Sequence, residues 1–231
     1  MVFEKAEYLD RIARARAGMD RAGIDVLVES DPANMNWLTG YDGWSFYNPQ
    51  AVILAMDGEP LWIGRGLDVN GARATAFMGH ENILGFPEDL FERKDRHPMQ
   101  FFAAEMIRRG WGGKRVGIAR DTQQFTTRMR DYLIAALPDA TIVDSDGVVN
   151  WLRLVKSPKE IALMRDASRI TERIMARFFE LVRPGVRECD VAAEVWKAHT
   201  EGTPEFAGDY PASIPFFAAG PNTATTHLTW S

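Results

Sequence analysis

The sequence of 231 residues is long enough for one large domain or two ordinary ones, and its 46% hydrophobic and 26% charged residues are normal for a globular protein. A net charge of −5 argues against nucleic acid or an anionic membrane surface as a partner, because both select a basic face. No run is long and apolar enough to span a membrane, and the charged N-terminus lacks the apolar core of a signal peptide. The single cysteine, Cys189, excludes an internal disulfide, disfavours a cysteine-based metal site and indicates a cytoplasmic protein.

Helical and strand patterns alternate through the first part of the chain. An apolar stripe that ends before Gly23 predicts a first helix, and Ile24–Ser30 predicts a buried strand. The stripe of this helix consists of Tyr8, Leu9, Ile12, Ala15 and Met19. Segments 51–56 and 61–64 predict a hairpin. The alternation continues as helix 66–77, strand 82–86, helix 97–111, strand 115–119, helix 122–137 and strand 140–145. The pattern indicates an α/β fold with a mixed sheet covered by helices.

The pattern changes near Asn150–Lys156, where we place a boundary between a first domain, 1–153, and a second, 154–231. Ser157 as N-cap, Pro158 at the first helical position and Glu160 in a capping box predict the start of a long helix. We expect its buried stripe to be Ile161, Met164, Ile170, Ile174, Phe178 and Leu181. A second helix over 187–202 follows, with Val191, Val195 and Trp196 facing inward, and then a strand at Ser213–Ala219.

Two helices and about one and a half strands make a poor independent core. The strand Ser213–Ala219 needs neighbours on both sides if its apolar residues are to be buried. We therefore expect that Ser231 is not the natural end of this folding unit, and that further residues complete a sheet around His227.

The segment Asp31–Gln50 is unusually rich in aromatic residues and contains Tyr41, Trp44, Phe46 and Tyr47 close together. An exposed aromatic patch in a loop indicates a pocket or an interface, and aromatic faces suit a planar delocalised cation such as an amidinium ring. The same residues could instead fill a core beneath the loop or bury a dimer contact.

Two polar residues near the end of the chain are candidates for chemistry. His227 follows a Gly-Pro-Asn turn, where an imidazole can transfer protons or stabilise a tetrahedral oxygen. Asp209 precedes the predicted last strand and could orient a substrate ammonium or His227 itself. Structural roles, with hydrogen bonds to the backbone or to loop amides, remain open for both residues.

The element KSPKEI, followed by MRDA, resembles the junction at which creatinase and aminopeptidase P-type proteins pass from their N-terminal domain into the "pita-bread" domain. The resemblance covers essentially the whole chain. It implies a creatinase-type N-terminal α/β domain with a mixed sheet, followed by the first part of an α+β pita-bread domain. Within this family, segments 31–50, 208–212 and 227–230 most resemble the ectoine hydrolase branch. That branch opens a small cyclic amidine at a C–N bond and gives N-acetyl-diaminobutyrate.

The resemblance also implies a homodimer that acts on a small-molecule substrate, with His227 as the active-site histidine. Phe46 falls on the segment that creatinase-like enzymes use to contact substrate across the dimer, and Trp44, Tyr47 and Asp209 are further candidates for substrate binding. We expect no cofactor and no metal site in this chain. A divalent metal pair is the alternative for a peptidase, with its ligands outside this chain. We expect the 231-residue chain to be inactive by itself.

Two other functions remain open. An Xaa-Pro metallopeptidase would share the fold and the dimer, but segment 31–50 contains neither Arg nor His to bind a peptide carboxylate. A non-catalytic binding module is the second alternative, because no complete catalytic set is present in the sequence.

Overall fold

The computed structural model describes residues 2–211 and 213–230. The chain divides into two compact units, residues 1–155 and 156–231. The elements of the first unit are α1 (Lys5–Ala22), β1 (Val26–Glu29), α2 (Pro32–Thr39), β2 (Ala51–Ala55), β3 (Leu61–Arg65), α3 (Val69–Thr75), β4 (Ile83–Phe86), α4 (Pro98–Arg108), β5 (Arg115–Ile118), α5 (Thr127–Ala136), β6 (Thr141–Asp144) and α6 (Val148–Arg153).

In the described part of the chain, six strands form one mixed sheet in the order β4-β3-β2-β1-β5-β6. Strand β2 pairs antiparallel with β1 and with β3, and the other neighbouring strands pair parallel. The predicted α/β fold with a mixed sheet is therefore confirmed. The predicted hairpin is also confirmed, as β2 and β3.

The sheet is buried on both faces, because side chains that alternate along β1 pack into two different cores. Leu27 packs into the core shared with α1, α2, α3 and α6, whereas Val26 and Val28 pack into the core shared with α4 and α5. Successive side chains of a strand point to opposite faces, so three consecutive apolar residues serve two cores. In α1 the predicted stripe is buried except for Leu9, which is exposed.

Two short helices of the first unit are not predicted by the sequence pattern. Helix α2 lies within the segment interpreted above as a loop. The carboxylate of Asp31 accepts a hydrogen bond from the Asn34 N–H at 2.9 Å, and Pro32 occupies the first helical position. Helix α6 lies at the predicted boundary between domains. Each helix is too short to show a clear apolar period.

The second unit contains α7 (Pro158–Leu181) and α8 (Glu188–Glu201). The capping box of α7 is present: Ser157 Oγ accepts from Glu160 N–H, and Glu160 Oε2 accepts from Ser157 N–H at 2.7 Å. Arg177 Nη2 on α7 lies 2.7 Å from Glu194 Oε2 on α8. Val191 and Val195 are buried as predicted, and Trp196 is half-buried.

Two predictions for the second unit are wrong. No residue of the α7 stripe is buried, because α8 and the segment after it cover only part of the helix among the described residues; Met164 is 53% exposed. No strand forms at Ser213–Ala219 in the described residues, and a one-turn 3-10 helix follows at Gly220–Ala224. A strand requires hydrogen-bonding neighbours, and none of the described residues supplies them.

Gly40 ends α2 and determines how the aromatic segment leaves the helix. Its φ of 81° lies in the left-handed region, which favours glycine. A Cβ at this position would lie 2.7 Å from the Tyr8 hydroxyl and 3.1 Å from the carbonyl oxygen of Thr75. Tyr8 is buried and stacks on Phe77 at 5.3 Å, so its ring has little room to move.

We expect Gly40→Ala to lower the free energy of unfolding by about 2–4 kcal/mol, through backbone strain and through the clash with Tyr8. Gly58→Ala is the matched control, because Gly58 has a φ of 71° but no atom within 4 Å of the added Cβ. Gly58→Ala should lower the free energy of unfolding only through backbone strain, by about 1 kcal/mol. Urea unfolding measures both variants, and equal losses would contradict the steric argument.

Glu29, at the end of β1, is 2% exposed. Burial raises its pKa to about 7, although the Asp31 N–H donates to its Oε1 at 3.1 Å and opposes the shift. The folded state therefore holds this proton more tightly than the unfolded state does. Stability is at its full value below the unfolded pKa of 4.5 and decreases as the pH rises towards 7.

We expect Glu29→Gln to remove this decrease. The variant should resemble the wild type near pH 4.5 and gain up to about 3 kcal/mol relative to it near pH 8. The matched control is Glu81→Gln, since Glu81 is exposed. Urea unfolding at the two pH values gives the comparison, and a gain for Glu29→Gln that is the same at both would show that Glu29 is not the titrating group.

Candidate functional site

The three aromatic residues predicted to bind substrate lie together on the surface of the first unit. The ring centroids of Trp44 and Phe46 are 5.5 Å apart, and Tyr47 lies 5.9 Å from each of them. All three contacts are edge-to-face, and the side chains are 58%, 44% and 66% exposed for Trp44, Phe46 and Tyr47. The alternative that the aromatic residues fill a core beneath the loop is wrong for these three, whereas it holds for Tyr41, which is buried in the core. We call Trp44, Phe46 and Tyr47 the aromatic trio.

The loop that carries the aromatic trio is held by Tyr41, which is buried at its base. Its ring lies 5.0 Å from that of Trp62, and its hydroxyl donates to Gln50 Oε1 at 2.7 Å. Ser45 Oγ is 3.4 Å from the same hydroxyl. The closest approach is at Gly43, where an added Cβ would lie 2.1 Å from the Tyr41 hydroxyl. The residues between Tyr41 and Gln50 are thereby confined to a tight surface loop.

One side of this loop borders a cavity of about 410 Å³. Phe46 and Tyr47 line it, together with Asn48 and Pro49. The remaining walls come from the segments that follow β4 and β5 and from the first residues of α4 and α5. This volume is within the range of small-molecule sites.

His227 lies in the second unit and is exposed. Its φ of 64° is in the left-handed region, which non-glycine residues rarely occupy. Its ring contacts Phe216 edge-to-face at 5.5 Å. Such backbone strain is common at functional positions and is compatible with the predicted role.

Asp209 is also exposed, and its Oδ1 accepts a hydrogen bond from the Tyr210 N–H at 2.7 Å. Its carbonyl oxygen contacts Nε2 of His199. Among the described residues, Asp209 forms neither a hydrogen bond nor an ion pair with His227. The structure thus brings the three aromatic candidates together in the first unit. In the second unit, it does not pair Asp209 with His227.

Basic residues at the cavity were not recognised from the sequence. Arg93, Lys94 and Arg128 line it together with Glu92 and His97. The only sequence signal was the charged run at 92–96, which is typical of a solvated surface. Nothing in a single sequence indicated that this run lies beside residues 46–49.

The described residues contain no group of three or more His, Cys, Asp or Glu side chains that could hold a metal ion. Within the same residues, no helix has the length and apolarity required to cross a membrane.

Comparison with known proteins identifies both units. Residues 11–155 match the family model "Creatinase/Prolidase N-terminal domain", and residues 162–231 match "Metallopeptidase family M24". The chain is 42% identical to ectoine hydrolase of Halomonas elongata over 99% of its own length and 59% of that protein. It is 40% identical to an uncharacterised hydrolase/peptidase of Sinorhizobium fredii, with 97% and 58% covered. The chain thus spans about three fifths of the length of these relatives.

A solved structure shows the same fold. The prolidase from Thermococcus sibiricus superposes with a TM-score of 0.76 at 20% identity, covering 97% of this chain and 57% of that one.

The expectation that no cofactor is involved is wrong. Metallopeptidases of family M24, whose model matches the second unit, normally use a pair of divalent metal ions. The described residues do not fit such a pair, because no set of ligands is grouped among them.

The match over residues 11–155, the adjoining match over 162–231 and the mixed α/β sheet lead to one conclusion: the chain belongs to the creatinase/prolidase family, with a creatinase-type N-terminal domain followed by metallopeptidase family M24 sequence.

Proposed function

We propose that the whole protein is a cytoplasmic, homodimeric hydrolase that opens the cyclic amidine of ectoine at a C–N bond and yields N-acetyl-diaminobutyrate. The observation that carries this proposal is the 42% identity to ectoine hydrolase over 99% of the chain. The exposed aromatic trio supports it independently, because its chemistry suits the substrate.

The aromatic trio offers three ring surfaces at one place on the first unit. Ectoine carries a planar amidinium, and a desolvated cation over an aromatic face gains about 1–2 kcal/mol. The edge-to-face packing of Trp44 on Phe46 and Tyr47 restricts each ring, so little side-chain entropy is lost when a flat ligand binds. Substrate would also displace water from this exposed apolar surface.

The reaction requires one addition and one elimination. Water adds to the amidine carbon, and its oxygen forms the new C–O bond as one proton leaves. The tetrahedral centre then collapses to the amide as its hydroxyl loses the second proton of the water, and the C–N bond to the ring nitrogen breaks. That nitrogen takes up both protons and leaves as an ammonium group. We assign proton transfer to His227, since imidazole titrates near neutral pH. Asp209 is proposed to bind substrate.

Hydrolysis of Xaa-Pro peptides is the second candidate, and the match to the metallopeptidase family M24 model favours it. The aromatic loop argues against it, because segment 31–50 has no Arg or His to bind a peptide carboxylate.

The whole protein should convert ectoine to N-acetyl-diaminobutyrate, measured by mass spectrometry, and should leave an Ala-Pro dipeptide intact. His227→Ala should lower kcat by about 100- to 10,000-fold, because general acid–base catalysis contributes that much. His80→Ala is the matched control, since His80 is exposed on the first unit. Dipeptide cleavage without ectoine turnover would replace the proposal with the peptidase, and absence of both activities would favour a binding module.

We expect Trp44→Ala to raise the KM for ectoine about tenfold with a smaller effect on kcat, through loss of one aromatic face. Trp151→Ala is the control, because Trp151 is 70% exposed but lies on α6, outside the trio. Steady-state kinetics on the whole protein measures KM and kcat for both variants. Equal effects on KM would mean that the aromatic trio does not contact substrate.

A further inference from the structure

His227 has a strained backbone that its surroundings have to hold. Its φ of 64° lies in the left-handed region, and such a conformation persists only where the surrounding structure fixes it. The residue is exposed, so burial in a core does not supply this support. The support therefore has to come from the segment that leads to His227 and from the points at which that segment is attached.

A turn just before His227 begins at Ala219. The Ala219 carbonyl oxygen accepts a hydrogen bond from the Asn222 N–H at 3.3 Å, and the Asn222 carbonyl oxygen accepts one from the Thr225 N–H at 3.0 Å. These bonds form the one-turn 3-10 helix Gly220–Ala224 and fix the residues beside it. Because His227 follows this turn closely, the position of Ala219 sets the place at which the imidazole is presented.

The N–H of Ala219 is bound by a side chain of α8. It donates to Glu188 Oε1 at 2.6 Å, across a separation of 31 positions in the sequence. A hydrogen bond from an N–H group to a carboxylate is shorter and roughly twice as strong as one between neutral groups. Since Glu188 is the first residue of α8, the turn is attached to the N-terminal end of that helix.

The same attachment supports the ring of His227. Phe216 contacts the imidazole edge-to-face, with the ring centroids 5.5 Å apart. Its neighbour Phe217 contacts Phe178 of α7, also at 5.5 Å. Phe216 and Phe217 lie just before the residue that Glu188 binds, so α7 and α8 together hold one short segment. The backbone approach to His227 and one face of its ring both depend on this segment.

The other end of α8 contacts Asp209. Nε2 of His199 contacts the Asp209 carbonyl oxygen, and His199 lies about 16 Å along the helix axis from Glu188. Helix α8 is thus attached near both of its ends to the part of the chain that carries the polar candidates. Of these two contacts, the one at Glu188 is nearer in sequence to His227.

We propose that Glu188 is a positioning residue for the proton-transfer step. Through Ala219 and the turn that follows it, the Glu188 carboxylate holds the imidazole of His227 where the reaction needs it. Glu188 acts only through His227 and takes no part in making or breaking bonds. This role rests on the assignment of proton transfer to His227 in the proposed function.

The competing role for Glu188 is stabilisation of α8, and it decides the choice of control. Glu188 and Asp190 are both acidic residues of the first turn of α8, where negative charge stabilises a helix. Asp190 pairs with Arg187 at 2.6 Å, an exposed ion pair of the same turn. Asp190→Asn therefore removes the same charge from the same turn and leaves the contact with Ala219 in place.

The attachment is tested by hydrogen–deuterium exchange of the whole protein, resolved to the Ala219 amide by mass spectrometry. We expect this N–H to be protected in the wild type and in Asp190→Asn, and to exchange at least about tenfold faster in Glu188→Ala. Equal exchange in the three proteins would show that Glu188 does not hold the turn and would overturn the proposal.

The effect on catalysis is tested by steady-state kinetics of the whole protein on ectoine. Glu188→Ala should lower kcat about 100-fold, as expected for a displaced catalytic group, and change KM less than about twofold. Glu188→Gln keeps an acceptor oxygen at the same reach and should stay within about tenfold of the wild-type kcat. Asp190→Asn should stay within about twofold, because exposed ion pairs contribute little.

A double-variant cycle separates positioning from a general loss of folded enzyme. On the His227→Ala background, Glu188→Ala should lower kcat by no more than about a further twofold, because residues that act as a unit are not additive. A further loss of about 100-fold would mean a structural role and would contradict the proposal. Equal effects of Glu188→Ala and Asp190→Asn on kcat would do the same.

The two proposals can fail separately. If the whole protein cleaves Ala-Pro and leaves ectoine intact, the proposed function fails, and the same cycle measured with the dipeptide still decides the role of Glu188. An unchanged kcat in His227→Ala would overturn both the assignment of His227 and the positioning role of Glu188.

Discussion

The hydrogen bond from the Tyr41 hydroxyl to Gln50 Oε1, 2.7 Å long, joins the two ends of the aromatic loop across the core. The ring of Tyr41 is buried against Trp62, so the base of the loop belongs to the hydrophobic core while its tip does not. Between these two residues the small polar side chains of Ser45 and Asn48 are buried, whereas the aromatic trio stays at the surface. The exposure of the aromatic trio therefore follows from the way the loop is closed, and these residues remain available for a ligand.

The direction of the strands explains why the loop borders the cavity. Strand β2 runs antiparallel to β1, so its beginning lies at the edge of the sheet where β1 and its parallel neighbour β5 end. Strand β3 is antiparallel to β2, and β4 is parallel to β3, so both also end at this edge. Segments distant in sequence therefore meet there: the aromatic loop, the charged run after β4 and the start of α5. Ligands of α/β sheets commonly bind at such an edge.

Sequence patterns predicted most of the first unit, because its strands are short apolar runs between clear turn signals and its longer helices show a single apolar face. They failed where a local pattern depends on distant partners. Ser213–Ala219 has the composition of a strand, but composition does not provide the neighbouring strands that a sheet needs. The stripe of α7 has helical spacing, but only packing decides whether it is buried. The aromatic trio was identified because clustered aromatics are visible in sequence, whereas only the fold brings Asn48 and Lys94 to the lining of one cavity.

The two units differ in the chemistry that their described residues offer. In the first, the groups suited to a ligand are exposed aromatic faces and the cationic side chains at the cavity, which bind without forming or breaking bonds. The second contributes His227, a group that can transfer protons, held at a backbone conformation that costs free energy. The proposed function therefore assigns proton transfer to the second unit and the aromatic contacts with substrate to the first. A substitution in the aromatic loop would then act mainly on affinity, whereas one at His227 would act mainly on the rate of the chemical step.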